Sequence, residues 1–201
     1  DGPWAEFRAY GSTVEQSSGL PHLNGMENDL PTMHHVAYGD AMGGITGGAA
    51  LLVALRHQAR TGEGQFVDLS QVEGLFPLGI HGILAQSAQG HPPERNGNQH
   101  GGIAPHGVYP CKGDDDWIVI QVFTEAQWSA LKQKSGLTFG DLNDRLAHTD
   151  ELDEALAAWT KPQESGALMR ELQELSIPAA ATYKLSQLLN HEQLTARQFW
   201  Q

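Results

Sequence analysis

The 201-residue sequence has one cysteine, 12 basic residues against 24 acidic ones, and only 3 of its 23 glycines beyond residue 113. Cys111 has no partner, so an internal disulfide framework is excluded, which suits a reducing cytoplasm. The net charge of −12 offers no basic patch, so neither nucleic acid nor a membrane surface is expected as a partner. Phosphate-bearing ligands stay open, because backbone N–H groups at turns and helix starts hold phosphates without Lys or Arg. No apolar run reaches the roughly 18 residues of a membrane span. No basic-plus-apolar leader opens the chain, and the expectation is a soluble cytoplasmic protein. There is also no initiating Met: Asp1-Gly2-Pro3-Trp4 reads as a start within a loop.

What is present divides the chain in two. Residues 1–40 show little period apart from a short helix around Ser12 to Ser18. The small-residue run from Ala41 to Ala50, continued by Leu51-Leu52-Val53-Ala54-Leu55-Arg56-His57, predicts a helix over about 41–60 with Asp40 as its N-cap. Each interior glycine costs about 1 kcal/mol of helix stability, so a glycine-rich first half implies close approach by neighbouring backbone or a ligand. Thr61-Gly62-Glu63-Gly64 is a turn, and Gln65 to Ser70 alternates like a strand. A helix over about 71–89, interrupted near Pro77, completes a helix–strand–helix order that indicates α/β layering. Gly90 to Pro105 is a long loop or linker.

From His106 the pattern changes. Gly107 to Cys111 and Trp117 to Val122 flank the acidic turn 112–116 as a hairpin. Helical spacing follows at Trp128 and Leu131, at Leu152, Leu156 and Trp159, and at Leu168, Leu172 and Leu175, with a short strand near Pro178 to Thr182. These elements make a small α+β module.

Asp40 is the first candidate for chemistry. A carboxylate at a helix start meets unsatisfied N–H groups and the positive end of the dipole, which favour its ionised form. It could attack an activated acyl group; equally, Asp is among the commonest caps. The segment Asn96 to Pro105, with His100-Gly101-Gly102, reads either as a mobile lid or as a flexible linker. The paired glycines 43–44 and 47–48 do not make a dinucleotide fingerprint. Adjacent His34-His35, loop residues His100 and His106 and a lone cysteine do not make a metal site, and Asp114 to Asp116 form a solvated tip rather than a Ca²⁺ loop. Ser70 and Ser17-Ser18 lack the nucleophile-elbow pattern.

In order along the chain, Gly39-Asp40 with its small-residue helix, Thr61 to Ser70 with Glu73, Arg95-Asn96-Gly97-Asn98, Ala104 to Cys111 and Ala196-Arg197-Gln198-Phe199 resemble the family III CoA-transferases, the group of the formyl-CoA and carnitine CoA-transferases. The resemblance implies an α/β fold: a partial Rossmann-like large domain in residues 1–90, a glycine-rich linker or lid in 91–105, a small α+β domain in 106–183, and a return toward the large domain in 184–201. Asp40 takes the place of the catalytic aspartate. Ser12, Gly39, His100, Gly101 and Gly102 are the implied substrate- and CoA-binding positions. The implied substrates are an acyl-CoA and a carboxylic acid, with coenzyme A as the carried group and no metal, in an interlocked homodimer of the longer protein. Relative to the family, the N-terminal portion that contacts the CoA nucleotide and the last returning segment are absent, so the 201 residues alone are expected to be inactive or very weak.

A related branch racemises 2-methylacyl-CoA thioesters with a His-Asp base pair. This sequence has Gly11-Ser12-Thr13 where that branch has Gly-His-Asp, so the base is missing. A carboxylate that some transferases carry in the segment is also absent, with Ser12 at or near its place. Transfer is therefore favoured, with racemisation or a non-catalytic oligomerisation module as the competing readings.

Overall fold

The computed structural model describes residues 2–34 and 36–200. Asp1, at the start of the Asp1-Gly2-Pro3-Trp4 segment, and His35, half of the His34-His35 pair, lie outside the described residues, as does Gln201. The chain divides into a unit of residues 1–97 and a unit of residues 98–201.

The first unit is built on α1 (Gly11–Ser17), α2 (Tyr38–Thr61), α3 (Gln71–Leu75) and α4 (Ile80–Gln89), with 3-10 turns at Leu20–His22 and Phe76–Gly79. The expected interruption at Pro77 is the second of these turns; proline lacks the N–H that a continuous helix would need there. Val14, Leu20 and Leu75 form the buried centre, with Leu23, Tyr38, Met42 and Val72 packed on it.

Helix α2 begins earlier than the sequence implies. Ala37, left-handed at φ 49° and ψ 49°, is its N-cap, and the Ala37 carbonyl accepts from the N–H groups of Asp40 at 3.0 Å and Ala41 at 3.1 Å. Asp40 is therefore not the cap but lies inside the first turn, because the left-handed residue turns the chain so that Tyr38 and Gly39 are already helical. The far end stops at Gly62, where a left-handed φ of 79° lets its N–H reach the Gln58 carbonyl at 2.8 Å. Although its apolar residues are interrupted, α2 contains an 18-residue window of mean hydropathy 1.2, long and apolar enough by length and composition to cross a membrane.

The glycines of α2 split by face. A β-carbon on Gly39 would lie 2.7 Å from Val14 Cβ, one on Gly43 2.9 Å from the Gln71 side chain, and one on Gly47 3.3 Å from Leu69. Positions 39, 43 and 47 thus form the stripe on which α1, α3 and the 69–71 segment close. Gly44 and Gly48 meet nothing within 4 Å, so the close packing expected of the whole run belongs to one face only.

Gln65 to Ser70 is not a strand. It forms no ladder among the described residues, and Phe66 is 92% exposed. Alternation marks a backbone suited to pairing, but a strand exists only where a partner takes its hydrogen bonds.

All strands of the described residues lie in the second unit. β1 (His106–Pro110), β2 (Trp117–Gln121) and β3 (Ala179–Ala181) form an antiparallel sheet in the order β1-β2-β3, with Val108 opposite Val119 and Val119 opposite Ala180. The predicted hairpin and short third strand are both present. The helices of this unit are α5 (Glu125–Ser135), α6 (Leu142–Ala147), α7 (Thr149–Thr160), α8 (Ser165–Glu174), α9 (Leu185–Leu188) and α10 (Glu192–Ala196). Tyr109, Ile118 and Ile120 of the sheet share one core with Trp128, Leu131, Leu152, Leu156, Leu168 and Leu172. Leu175 departs from its helical spacing: it is 42% exposed just past α8, and Ile177 is buried instead. Left-handed Ser176, at φ 60°, turns the chain so that the Ile177 N–H meets the Leu172 carbonyl at 2.9 Å.

Candidate functional site

Asp40 stands in the first turn of a 24-residue helix and is solvent-exposed. Position within that turn places its carboxylate near the N–H groups that a helix start leaves unpaired. The backbone of Gly11 closes on the same carboxylate: a β-carbon at residue 11 would stand 2.5 Å from Asp40 Oδ2, 2.8 Å from its Cγ and 2.9 Å from Ala37 Cβ. Gly39, buried beneath, brings the two helices together, since its own missing β-carbon leaves room for Val14 and the Gly11 carbonyl. Among the sequence candidates, Asp40 and Gly39 thus share one turn. Ser12 is exposed on α1, one residue past the contact that Gly11 makes.

The loop ahead of α2 is held by a hydrogen-bonded chain. Glu15, 1% exposed, accepts from the His34 backbone N–H at 2.8 Å and from His34 Nδ1 at 2.7 Å, while Asn24 Nδ2 donates to His34 Nε2 at 2.8 Å. Nδ1 of the His34 ring thus faces the Glu15 carboxylate and Nε2 the Asn24 side-chain amide. The same ring meets Tyr38 edge-on at 4.9 Å, linking the chain to the first residue of α2.

Cavities of about 480 and 850 Å³ are present in the first unit. Ser18, His22, Leu23, Gly82 and Ile83 are among the residues lining the smaller; Trp4, Phe7, Arg8, Ser17 and Glu73 are among those lining the larger. Asp40 lines neither.

His100, Gly101 and Gly102 belong to the second unit and are exposed. The Gly102 N–H donates to His100 Nδ1 at 3.1 Å and the Ile103 N–H to the His100 carbonyl at 3.3 Å, making a tight turn. A β-carbon on Gly101 would meet nothing within 4 Å. Both flanks of the turn are pinned. On one side, Gln99 donates to Asp150 at 3.0 Å, and His106 Nδ1 donates to the Asn98 carbonyl while its Nε2 accepts from Gln121 at 2.9 Å. On the other, the Arg145 guanidinium donates to the Ala104 carbonyl at 2.7 Å. Beside Gln99, the Tyr109 hydroxyl donates to Asp153 at 2.6 Å. Burial, then the neighbouring carboxylate, push the Tyr109 hydroxyl far above its ordinary range, and burial also raises Asp153.

Among the described residues no group of three or more His, Cys, Asp or Glu is placed to hold a metal ion.

A family model, CoA-transferase family III, matches residues 1–201. The chain belongs to this family. Succinyl-CoA–D-citramalate CoA-transferase of Chloroflexus aurantiacus is 30% identical, over 98% of this chain and 50% of that protein. Succinyl-CoA:mesaconate CoA-transferase of Haloarcula marismortui is 26% identical over 90% of this chain and 46% of its own length. The chain therefore spans about half the length of the curated relatives it matches. The crystal structure of a CAIB/BAIF family protein from Brucella suis superposes with a TM-score of 0.87 at 26% identity, covering 98% of this chain and 53% of that one.

Within this family III chain, sequence reasoning met Gly11 only as the start of Gly11-Ser12-Thr13 and Gln99 only as part of the 96–105 segment, and it missed Arg145. The part Gly11 plays beside Asp40 left no signal, because a glycine opening a short helix shows its purpose only through what approaches it. Arg145 is 1% exposed, yet a scan for apolar periodicity reads an arginine as a solvent residue.

Proposed function

We propose that the protein transfers coenzyme A from an acyl-CoA thioester to a carboxylic acid, with Asp40 as the nucleophile. The supporting observation is an exposed carboxylate in the first turn of a long helix, walled by the Gly11 backbone, in a chain matched by the family model from end to end.

The chemistry follows from exchange of activated acyl bonds. An Asp40 oxygen attacks the thioester carbonyl, the C–S bond breaks, and a mixed anhydride forms as the CoA thiolate leaves. The thiolate attacks the Asp40 carbonyl of the anhydride, releasing the donor acid and leaving an aspartyl-CoA thioester. An incoming carboxylate attacks that thioester, and the freed thiolate returns to the acceptor's acyl carbon. The acceptor leaves as its CoA ester and Asp40 as a carboxylate. One thioester is consumed and one formed, so no nucleoside triphosphate enters. In this reading His100, Gly101 and Gly102 keep the acyl-CoA-covering role, and Ser12 and Gly39 the substrate-side positions, that the resemblance gives them.

Both named relatives act with succinyl-CoA by name, which makes it the first donor to assay. The test incubates the full-length protein with acyl-CoA, traps with hydroxylamine and maps the modified residue by mass spectrometry, beside Asp40→Ala. A hydroxamate at Asp40 with loss of turnover in the variant is expected; no adduct and unchanged turnover in Asp40→Ala would falsify the reading.

A further inference from the structure

We propose that Gly11 is a positioning residue for Asp40: the missing β-carbon lets the first turn of α1 close on the Asp40 carboxylate and set the direction from which it attacks. The inference rests on the reading of Asp40 as nucleophile, but the contact itself does not.

Asp40 lies on exposed surface, and among the described residues no hydrogen bond or ion pair holds its side chain. A carboxylate so placed is free to rotate about its two torsions unless something solid stands beside it. Gly11 supplies that wall, with the site of its absent β-carbon 2.5 Å from Oδ2 and 2.8 Å from Cγ. Carbon and oxygen atoms do not approach this closely without bonding, so any side chain at residue 11 forces the carboxylate elsewhere. The approach is reciprocal: a β-carbon on Gly39 would lie 3.0 Å from the Gly11 carbonyl. The two glycines therefore let the backbones cross where the carboxylate projects. The two nearest atoms in the way are the far end of the flexible Asp40 side chain, and the third is Ala37 Cβ at 2.9 Å, fixed to its backbone; Gly11→Ala therefore turns the Asp40 carboxylate and also presses on the start of α2. Helix propensity acts the other way, since alanine favours a helix over glycine; a loss of stability on this substitution would come from contact and not from propensity.

The experiment compares the wild-type full-length protein, Gly11→Ala, Asp40→Ala and the double variant. For Gly11→Ala, kcat is expected to fall on the order of 10²-fold, the effect of a misplacement of about 1 Å. KM for the acyl-CoA should stay within about threefold, as for an interaction made in the transition state. Its melting temperature should drop, and the same substitution should cost less in the Asp40→Ala background, where the carboxylate atoms are gone and only Ala37 Cβ remains in the way. Should Gly11→Ala fail to fold alone, recovery of folding in the double variant supports the contact, and failure of both variants overturns it. The proposal is also overturned by a Gly11→Ala enzyme that keeps wild-type kcat, or by an equal melting loss with and without the Asp40 side chain. A wild-type enzyme that Asp40→Ala leaves fully active would sink the nucleophile reading instead, while the melting comparison still decides whether the two residues touch.

Discussion

Arg145 and Ala104 are joined by a 2.7 Å hydrogen bond from Nε to the carbonyl oxygen, made by a guanidinium that is only 1% exposed. The same side chain donates from Nη2 to Glu125 at 2.8 Å and from Nη1 to the Gly140 carbonyl at 3.1 Å, and lies 4.7 Å from the centre of the Trp128 ring. One planar cation thus ties α6, the start of α5 and the chain leaving the 98–103 turn. Lysine cannot replace it, because a single ammonium does not reach three diverging acceptors.

Replacing Arg145 by Met leaves the Ala104 carbonyl without this donor, whereas the Gly140 carbonyl keeps the Trp128 Nε1 donor at 2.7 Å. The expected loss is about 2–4 kcal/mol, the scale of an abandoned buried acceptor and a broken charged bond. Urea unfolding should show a lowered midpoint at unchanged slope.

Two carboxylates of the second unit tilt stability against pH in opposite senses. The Arg145 hydrogen bond holds Glu125 below its ordinary range. Its contribution is therefore present above the unfolded-state pKa of about 4.3 and disappears as pH falls through the lower folded value. Burial raises Asp153, so the folded state holds that proton longer and stability declines as pH rises from about 4. Glu125→Gln should flatten the acid-side rise, and Asp153→Asn the decline above it, in melting temperatures recorded from pH 3 to 7 (about one unit per step). The amide oxygen introduced by Asp153→Asn still accepts from Tyr109, so a fall in stability at every pH would refute the burial account.

Ala37 pays for its left-handed geometry at the mouth of α2. An L-residue there costs about 1–2 kcal/mol, and glycine is also the better N-cap. Greater freedom of the unfolded chain takes back about 0.4–1 kcal/mol. Ala37→Gly is thus expected to raise stability by up to about 1 kcal/mol, and Ala37→Val to lower it, as read by thermal melting.

Much of the second unit was legible because its signals are local. Trp117 to Gln121 alternates, Leu152 and Leu156 recur at one helical turn, and the acidic 112–116 stretch between two apolar runs marks a hairpin. Leu175 broke its period because left-handed Ser176, not hydrophobicity, ends the helix. The Gln65 to Ser70 expectation failed for a different reason, since pairing depends on a second segment that alternation cannot supply.

By itself the sequence determined the long helix α2 with its glycine-rich run, the hairpin with its short third strand, and the candidacy of Asp40, all of which depend on residues close together in the chain. The left-handed backbone of Ala37, rather than any residue pattern, decided that it and not Asp40 opens α2. Tertiary structure alone decided that Gly11 walls the carboxylate and that Arg145 is buried among carbonyl groups, and both depend on which backbone comes within about 3–4 Å of which side chain. Such approaches join residues 11 and 40, or 104 and 145, and no pattern along the chain records them.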